Sequence, residues 1–253
     1  MKKVVCIIAG LLIAARLFAQ DCTHYLYMQK NKTIEMTFYT NKGDARFKSV
    51  STVSDVKTDN GITTATVVSQ GYDKNGKALG GQNTVRYKCD GKTIMMEMNF
   101  DIPQQQSDKS VKMDVKVDGG FTEFPADMKV GDHLKDATTQ MQMGANGNTT
   151  ATTTVKITNR IVAGQENVTT PAGTWNCFKI TYNTTSSTTL GGANAAQMDT
   201  VNNALNKLKA KFGKLIKTPS SSNSSESTIW FAPGVGMIKS QTKGGTIELT
   251  AIK

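Results

Sequence analysis

The chain has 253 residues, of which 38% are hydrophobic, with 30 basic side chains against 20 acidic. That length suffices for one sizeable all-β domain or two small ones. The net charge of +10 is carried by lysines spread along alternating segments, without aromatic platforms beside them. Such a pattern excludes a nucleic-acid module and fits solvated strand faces and edges.

In chain order, Met1-Lys-Lys, an apolar run from Val4 to Ile13 and Ala14-Ala-Arg-Leu-Phe-Ala-Gln20 read as a secretory signal cleaved after Ala19. The apolar run is too short to span a bilayer permanently. The mature protein is therefore expected in the periplasm or outside the cell. Losing Lys2, Lys3 and Arg16 leaves 27 basic and 20 acidic side chains, a net of about +7. Asp21 stands where lipid attachment at Cys22 would want a small residue, so the cysteine reads as unlipidated. Three cysteines remain, and an odd number in an oxidising compartment allows at most one internal pair.

Short runs of alternating apolar and polar residues follow from 32 to 118: Ile34 to Phe38, Thr63 to Val68, Val85 to Cys89, Ile94 to Phe100 and Val111 to Val117. Their period of two predicts half-buried antiparallel strands. Asn60-Gly61, Asn75-Gly76 and Asp90-Gly91 tolerate the positive φ of tight hairpins, which makes this half a meander. Phe121 to Asp136, with Pro125 and a Val130-Gly131-Asp132 turn, is expected to be a crossing loop. Thr-rich strands from Thr149 to Val162, and strands near 175–182, 228–231, 237–241 and 246–252, form a second meander. No repeat of 20 to 50 residues points to a propeller or solenoid. The fold class is all-β: one antiparallel meander over 20–253, closing into a partly open or closed barrel.

One insertion departs from the strand pattern. Within 193–217, between Ser/Thr-rich linkers, Met198, Val201, Leu205, Leu208, Phe212 and Leu215 recur at helical spacing, predicting an amphipathic helix. Lys207, Lys209, Lys211, Lys214 and Lys217 load its C-terminal half. With Phe212 and Leu215 they make a candidate surface for peripheral membrane contact or a partner protein. Packing on the barrel, or plugging its open side, suits the stripe better, because it is narrow and ordinary.

Little here carries chemistry. His24 and His133 lack neighbouring ligands at productive spacing, so no metal site is expected. Met96 with Met98, and Met141 with Met143, each place two thioethers on one strand face. That arrangement could cradle Cu(I), or line an apolar cavity as methionine commonly does. No nucleophile, base and orienting group can be named together, and no phosphate loop or dinucleotide fingerprint occurs, so neither an enzyme nor a cofactor is expected.

Several motifs together carry a resemblance: Asp21-Cys-Thr-His-Tyr25, Tyr72 to Lys77, Lys88-Cys-Asp-Gly91, Ile157-Thr-Asn-Arg160, Thr169 to Ile180 and Trp230 to Lys239. In these the chain resembles the exported TapB-like proteins of Bacteroidetes and, distantly, an uncharacterised envelope family with a YmcC-like β-barrel. The resemblance implies an envelope protein with an antiparallel barrel like that of lipoprotein carriers, and no catalytic residue. Two readings follow for its work. In one, a barrel holds a lipid, an acyl chain or a partner protein, with Met96, Met98, Met141, Met143, Phe178, Ile180 and Tyr182 as candidate lining. In the other, a filled barrel serves an envelope assembly through its surface. Soft-metal binding by the methionine pairs is a third.

Cys22 at the mature N-terminus and Cys89 before the Asp90-Gly91 turn are expected to pair, tying a fraying end to the sheet. In Thr170-Pro-Ala-Gly-Thr-Trp-Asn-Cys177, Pro171 and Gly173 fit a hairpin turn. The strand beyond it places Phe178, Ile180 and Tyr182 on one face, with Trp175 and Cys177 on the other. Trp175 and Cys177 are expected near a rim, covered by the N-terminal segment or the inserted helix.

Overall fold

A computed structural model describes residues 22–97, 113–145, 148–190 and 223–253. The predicted signal, Met98 and the predicted helix at 193–217, with its lysines, Phe212 and Leu215, lie outside the described residues.

Two short 3-10 turns, Cys22–His24 and Leu26–Met28, precede fourteen strands among the described residues. The first seven are β1 (Thr33–Thr40), β2 (Ala45–Asp59), β3 (Ile62–Asp73), β4 (Asn83–Cys89), β5 (Thr93–Glu97), β6 (Met113–Gly119) and β7 (Phe121–Pro125). Then come β8 (His133–Leu134), β9 (Ala137–Ala145), β10 (Asn148–Thr170), β11 (Gly173–Leu190), β12 (Asn223–Ala232), β13 (Gly236–Thr242) and β14 (Gly245–Ile252). All belong to one antiparallel sheet ordered β6-β9-β10-β11-β12-β13-β14-β1-β2-β3-β4-β5-β7, with β8 on β10. The turns form where the sequence permits. Asn60 and Gly61 adopt φ of 49° and 79°, which lets β2 and β3 join through two residues.

The two ends of this strand order, β6 and β7, are consecutive in the chain and joined by Gly120. Before Gly120 the chain pairs with β9, and after it with β5. One bent run of chain thus nearly closes the sheet into a barrel, leaving a seam beside β7. This corrects the expectation of a crossing loop at Phe121 to Asp136. Burial alternates along Phe121–Pro125, with Thr122 and Phe124 inward and Pro125 only its last residue, and Asp118-Gly-Gly120 forms the bend between the two sheet partners.

Alternation and register settle which face is inside. Ile34, Met36, Val53, Val67, Val162, Phe178, Ile180, Phe231, Ile238 and Leu249 are buried and point into the barrel. The outward face carries charges such as Glu35, which meets Lys48 at 2.9 Å and Lys253 at 2.5 Å. At Gly245 a Cβ would come within 2.1 Å of the Tyr39 carbonyl oxygen, so glycine is required where β14 begins beside the end of β1.

Candidate functional site: the barrel interior and its N-terminal plug

The end of the barrel formed by the β4–β5 and β12–β13 turns is occupied by the chain's own N-terminal segment. Residues 22–29 fold into the two 3-10 turns and place Tyr25, Tyr27 and Met28 in the core, 1%, 8% and 3% exposed. Four contacts hold this segment. Cys22 and Cys89, the pair expected from the sequence, form a disulfide across 67 residues of chain. The Leu26 N–H donates to the Val235 carbonyl at 3.2 Å, and the Asn31 N–H to that of Val53 at 2.9 Å. The Tyr27 ring stacks on Tyr87 of β4, centroids 4.5 Å apart and planes 8° apart. Burial pushes the Tyr27 hydroxyl up to about 12, with a partly offsetting hydrogen bond from Tyr87, so both phenols remain neutral.

From the plug a column of stacked groups crosses to the seam. Tyr25 meets Phe231 at 6.1 Å, Phe231 stacks on Phe124 at 4.4 Å, and the Arg160 guanidinium lies 5.0 Å from the Phe124 centroid. Arg160 is only 2% exposed. Its Nη1 donates to the Lys135 carbonyl at 2.7 Å and its Nη2 to that of Glu123 at 2.9 Å. One side chain from β10 therefore supplies donors to the edge of β7, where the backbone ladder stops. Burial lowers its pKa to about 10, which leaves the cation charged at neutral pH.

The bend that aims Arg160 inward is a bulge in β10. The register with β11 slips between Thr158 and Ile161, Asn159 takes φ 53°, and its N–H donates to Asp136 Oδ1 at 3.1 Å. Asparagine tolerates that conformation better than most residues. The role of Arg160 was missed in the sequence. The one available signal was the polar pair Asn159-Arg160 interrupting an otherwise alternating strand.

Toward the other end the lining turns polar. Ser51 and Ser69 bond at 2.7 Å, and the Tyr182 hydroxyl bonds Ser227 and Ser240, both buried. Phe178 and Ile180 face inward with the half-buried Tyr182, but their space is shared with Phe231, Ile229 and Ile238. Of the methionines, Met143 is buried on β9, Met141 is half-buried beside it, and Met96 is half-buried on β5. Met96 pairs with Thr122 and Met141 with Val117, so they flank the bent β6–β7 run from opposite sides. Among the described residues no cluster of three His, Cys, Asp or Glu side chains could hold a metal.

On the outer face, the cover over Cys177 differs from the expected one. Trp230 of β12 sits opposite Lys179 of β11, while Glu166 of β10 sits opposite Cys177. Trp230 Nε1 donates to Glu166 Oε1, so the indole spans the roughly 10 Å between β12 and β10 and lies across β11. Among the described residues the hairpin register places this indole over Cys177, and the expected cover by the insertion falls outside them. Lys179 and Lys239 approach the ring to 5.7 and 5.6 Å.

Cys177 is fully buried, and its thiol is pushed up to about 11 by burial, with the Glu166 charge adding to the shift. A thiol that stays protonated is a poor nucleophile. In native protein at pH 8, Cys177 is expected to resist a thiol-specific chromogenic reagent and to react fully after denaturation. Rapid labelling of the folded protein would contradict this. The unfolded thiol ionises near 9 while the folded one holds its proton, so this group's contribution to stability falls as pH rises from about 9 toward 11.

A model of the DUF3108-like family matches residues 29–203. Among solved structures, a Bacteroides fragilis protein of YmcC-like fold, named as an exported protein, is 19% identical with a TM-score of 0.61. That match covers 90% of this chain and 98% of the other. A Parabacteroides distasonis protein named as a lipoprotein is 15% identical with a TM-score of 0.65, covering 92% and 100%. Both are likenesses of fold. No curated protein matches the chain.

Proposed function

The chain belongs to the DUF3108-like family, and from that membership and the occupied interior we propose an exported, non-enzymatic protein of the bacterial envelope. Its barrel is filled by its own N-terminus and works through its surface as an interaction component of an envelope assembly. The basic, apolar leader with cleavage near Ala19 supports export, as do the names of the two structural neighbours.

The observation that carries the reading is the buried Tyr27, stacked on Tyr87 inside the barrel mouth and fastened through Cys22 to Cys89. An acyl chain entering there would have to displace Tyr25, Tyr27 and Met28. Ligand pockets of apolar cargo carriers are largely pre-formed. Two open grooves among the described residues lie toward the opposite end, on β1–β3 and β13–β14, away from this mouth. An apolar-cargo carrier is therefore the second reading, resting on the inward Phe178 and Ile180.

Native mass spectrometry of protein purified from its exported compartment separates the two. The filled-barrel reading expects the bare mature mass and no change in melting temperature with fatty acids or phospholipids. Stoichiometric co-purifying lipid would overturn it.

A further inference from the structure

Among the described residues the loops at the two ends of the barrel differ in charge. At the plug end, the loops 29–32, 60–61, 90–92 and 126–132 carry Asp90, Asp127 and Asp132 against Lys30, Lys32, Lys92 and Lys129, close to balance. At the other end, the described loops 41–44, 74–82 and 243–244 carry Lys42, Lys74, Lys77 and Lys243 against Asp44 alone. Charges concentrated at one end raise the local potential and attract anions there.

That basic end also holds a shaped site. Between the β1–β2 and β3–β4 hairpins lies an open groove of about 560 Å³, bounded by Thr37, Arg46, Lys48, Tyr72, Asp73 and Lys74. Arg46 owes its position to a bulge. Phe38 pairs with Phe47 and Tyr39 with Ala45, which leaves Arg46 as the extra residue of β2 and turns it out of the ladder. The nearby charges are accounted for unequally. Lys48 is paired with Glu35 at 2.9 Å, and Asp73 Oδ1 accepts the backbone N–H groups of Asn75 and Lys77 at 2.8 and 2.9 Å. Arg46 and Lys74, both exposed, form no ion pair with any described residue.

We propose that this groove binds a phosphate ester carried on a polyol, with Arg46 and Lys74 taking the phosphate oxygens and Tyr72 lining the polyol. A guanidinium fork beside an ammonium suits a phosphate better than a single carboxylate. The groove exceeds what a bare phosphate fills, and a half-exposed tyrosine offers an apolar wall with a polar tip to a hydroxylated ring or glycerol. The site lies at the opposite end of the barrel from the plug and stands independently of the filled-interior reading.

Two sources share this chemistry: a soluble sugar phosphate, and the glycerophosphate headgroup of an anionic lipid. The test titrates the mature protein with glucose 1-phosphate by calorimetry. In parallel it measures co-sedimentation with phosphatidylcholine vesicles with and without phosphatidylglycerol. Binding to the first marks the soluble source; binding only to phosphatidylglycerol vesicles marks the lipid source. In either case Arg46→Ala with Lys74→Ala is expected to weaken binding by at least tenfold, and added salt to weaken it further. Lys92→Ala with Lys129→Ala, at the opposite end, is expected to leave it unchanged. All four positions are exposed, and unchanged melting curves show that the variants fold. No binding to either probe, equal binding by the Arg46 and Lys74 variant, or equal loss in the Lys92 and Lys129 variant would each overturn the assignment.

Discussion

Replacing Cys22 and Cys89 together by alanine is expected to lower the stability of the folded protein by about 4 kcal/mol. The bond closes a loop spanning 67 residues, and a loop of that length removes about this much conformational freedom from the unfolded chain. For a domain of this size the loss corresponds to a fall of about 10 °C in melting temperature. The effect should not stop at the global number. Cys22 begins the segment that carries Tyr25, Tyr27 and Met28 into the core, so its release lets the plug fray and exposes the Tyr27–Tyr87 stack. Urea unfolding of oxidised wild type, reduced wild type and the double variant measures the first effect, and the reduced protein should match the variant. A loss below about 1 kcal/mol would mean that the segment stays seated without its covalent tie, since that is well under the loop-closure value.

Arg160→Met is the second large effect, about 3 kcal/mol of destabilisation. Methionine keeps the apolar stem against Phe124 but leaves the carbonyls of Glu123 and Lys135 without the donors that reach them now. A buried acceptor stripped of its partner costs roughly 1 to 3 kcal/mol, and these two part-buried carbonyls together fall toward the upper part of that range. Arg160→Lys should recover less than half, because an ammonium cannot present two parallel donors in the guanidinium's fork. Hydrogen exchange should localise the damage to β7 and β8 on either side of the seam. If Arg160→Met instead proved as stable as wild type, the seam would have to be held by packing alone. Buried charges replaced by apolar groups do sometimes behave that way.

What the sequence disclosed and what it hid divide along physical lines. Hairpins and the Cys22–Cys89 pairing were legible because each depends on a recognisable pattern: Asn-Gly and Asp-Gly turns, and a cysteine at each end of a loop worth closing. The inward face of β11 was legible for the same reason, since Phe178, Ile180 and Tyr182 follow the period of two.

The plug was not, because Tyr25-Leu-Tyr-Met28 has neither strand nor helix periodicity, and its burial is decided by a cavity built from strands far away in sequence. Nor was the lid on Cys177, which depends on the register of β12 against β11 and on an indole reaching over a strand to Glu166. The seam clamp was hidden by a bulge, a device that breaks the alternation on which strand reading relies. Two Met-x-Met pairs read alike in sequence. In the fold, Met143 is buried, while Met141 and Met96 are only half-buried on strands flanking the β6–β7 run.

The central claim is that the barrel is occupied by its own N-terminus. It is tested most directly by nuclear Overhauser contacts in the mature protein, purified without detergent. The account predicts cross-peaks between the Tyr27 and Tyr87 rings and between the Tyr25 and Phe231 rings, both present in the oxidised protein. Absence of those contacts, together with cross-peaks from lipid methylenes to Phe178 and Ile180, would contradict it.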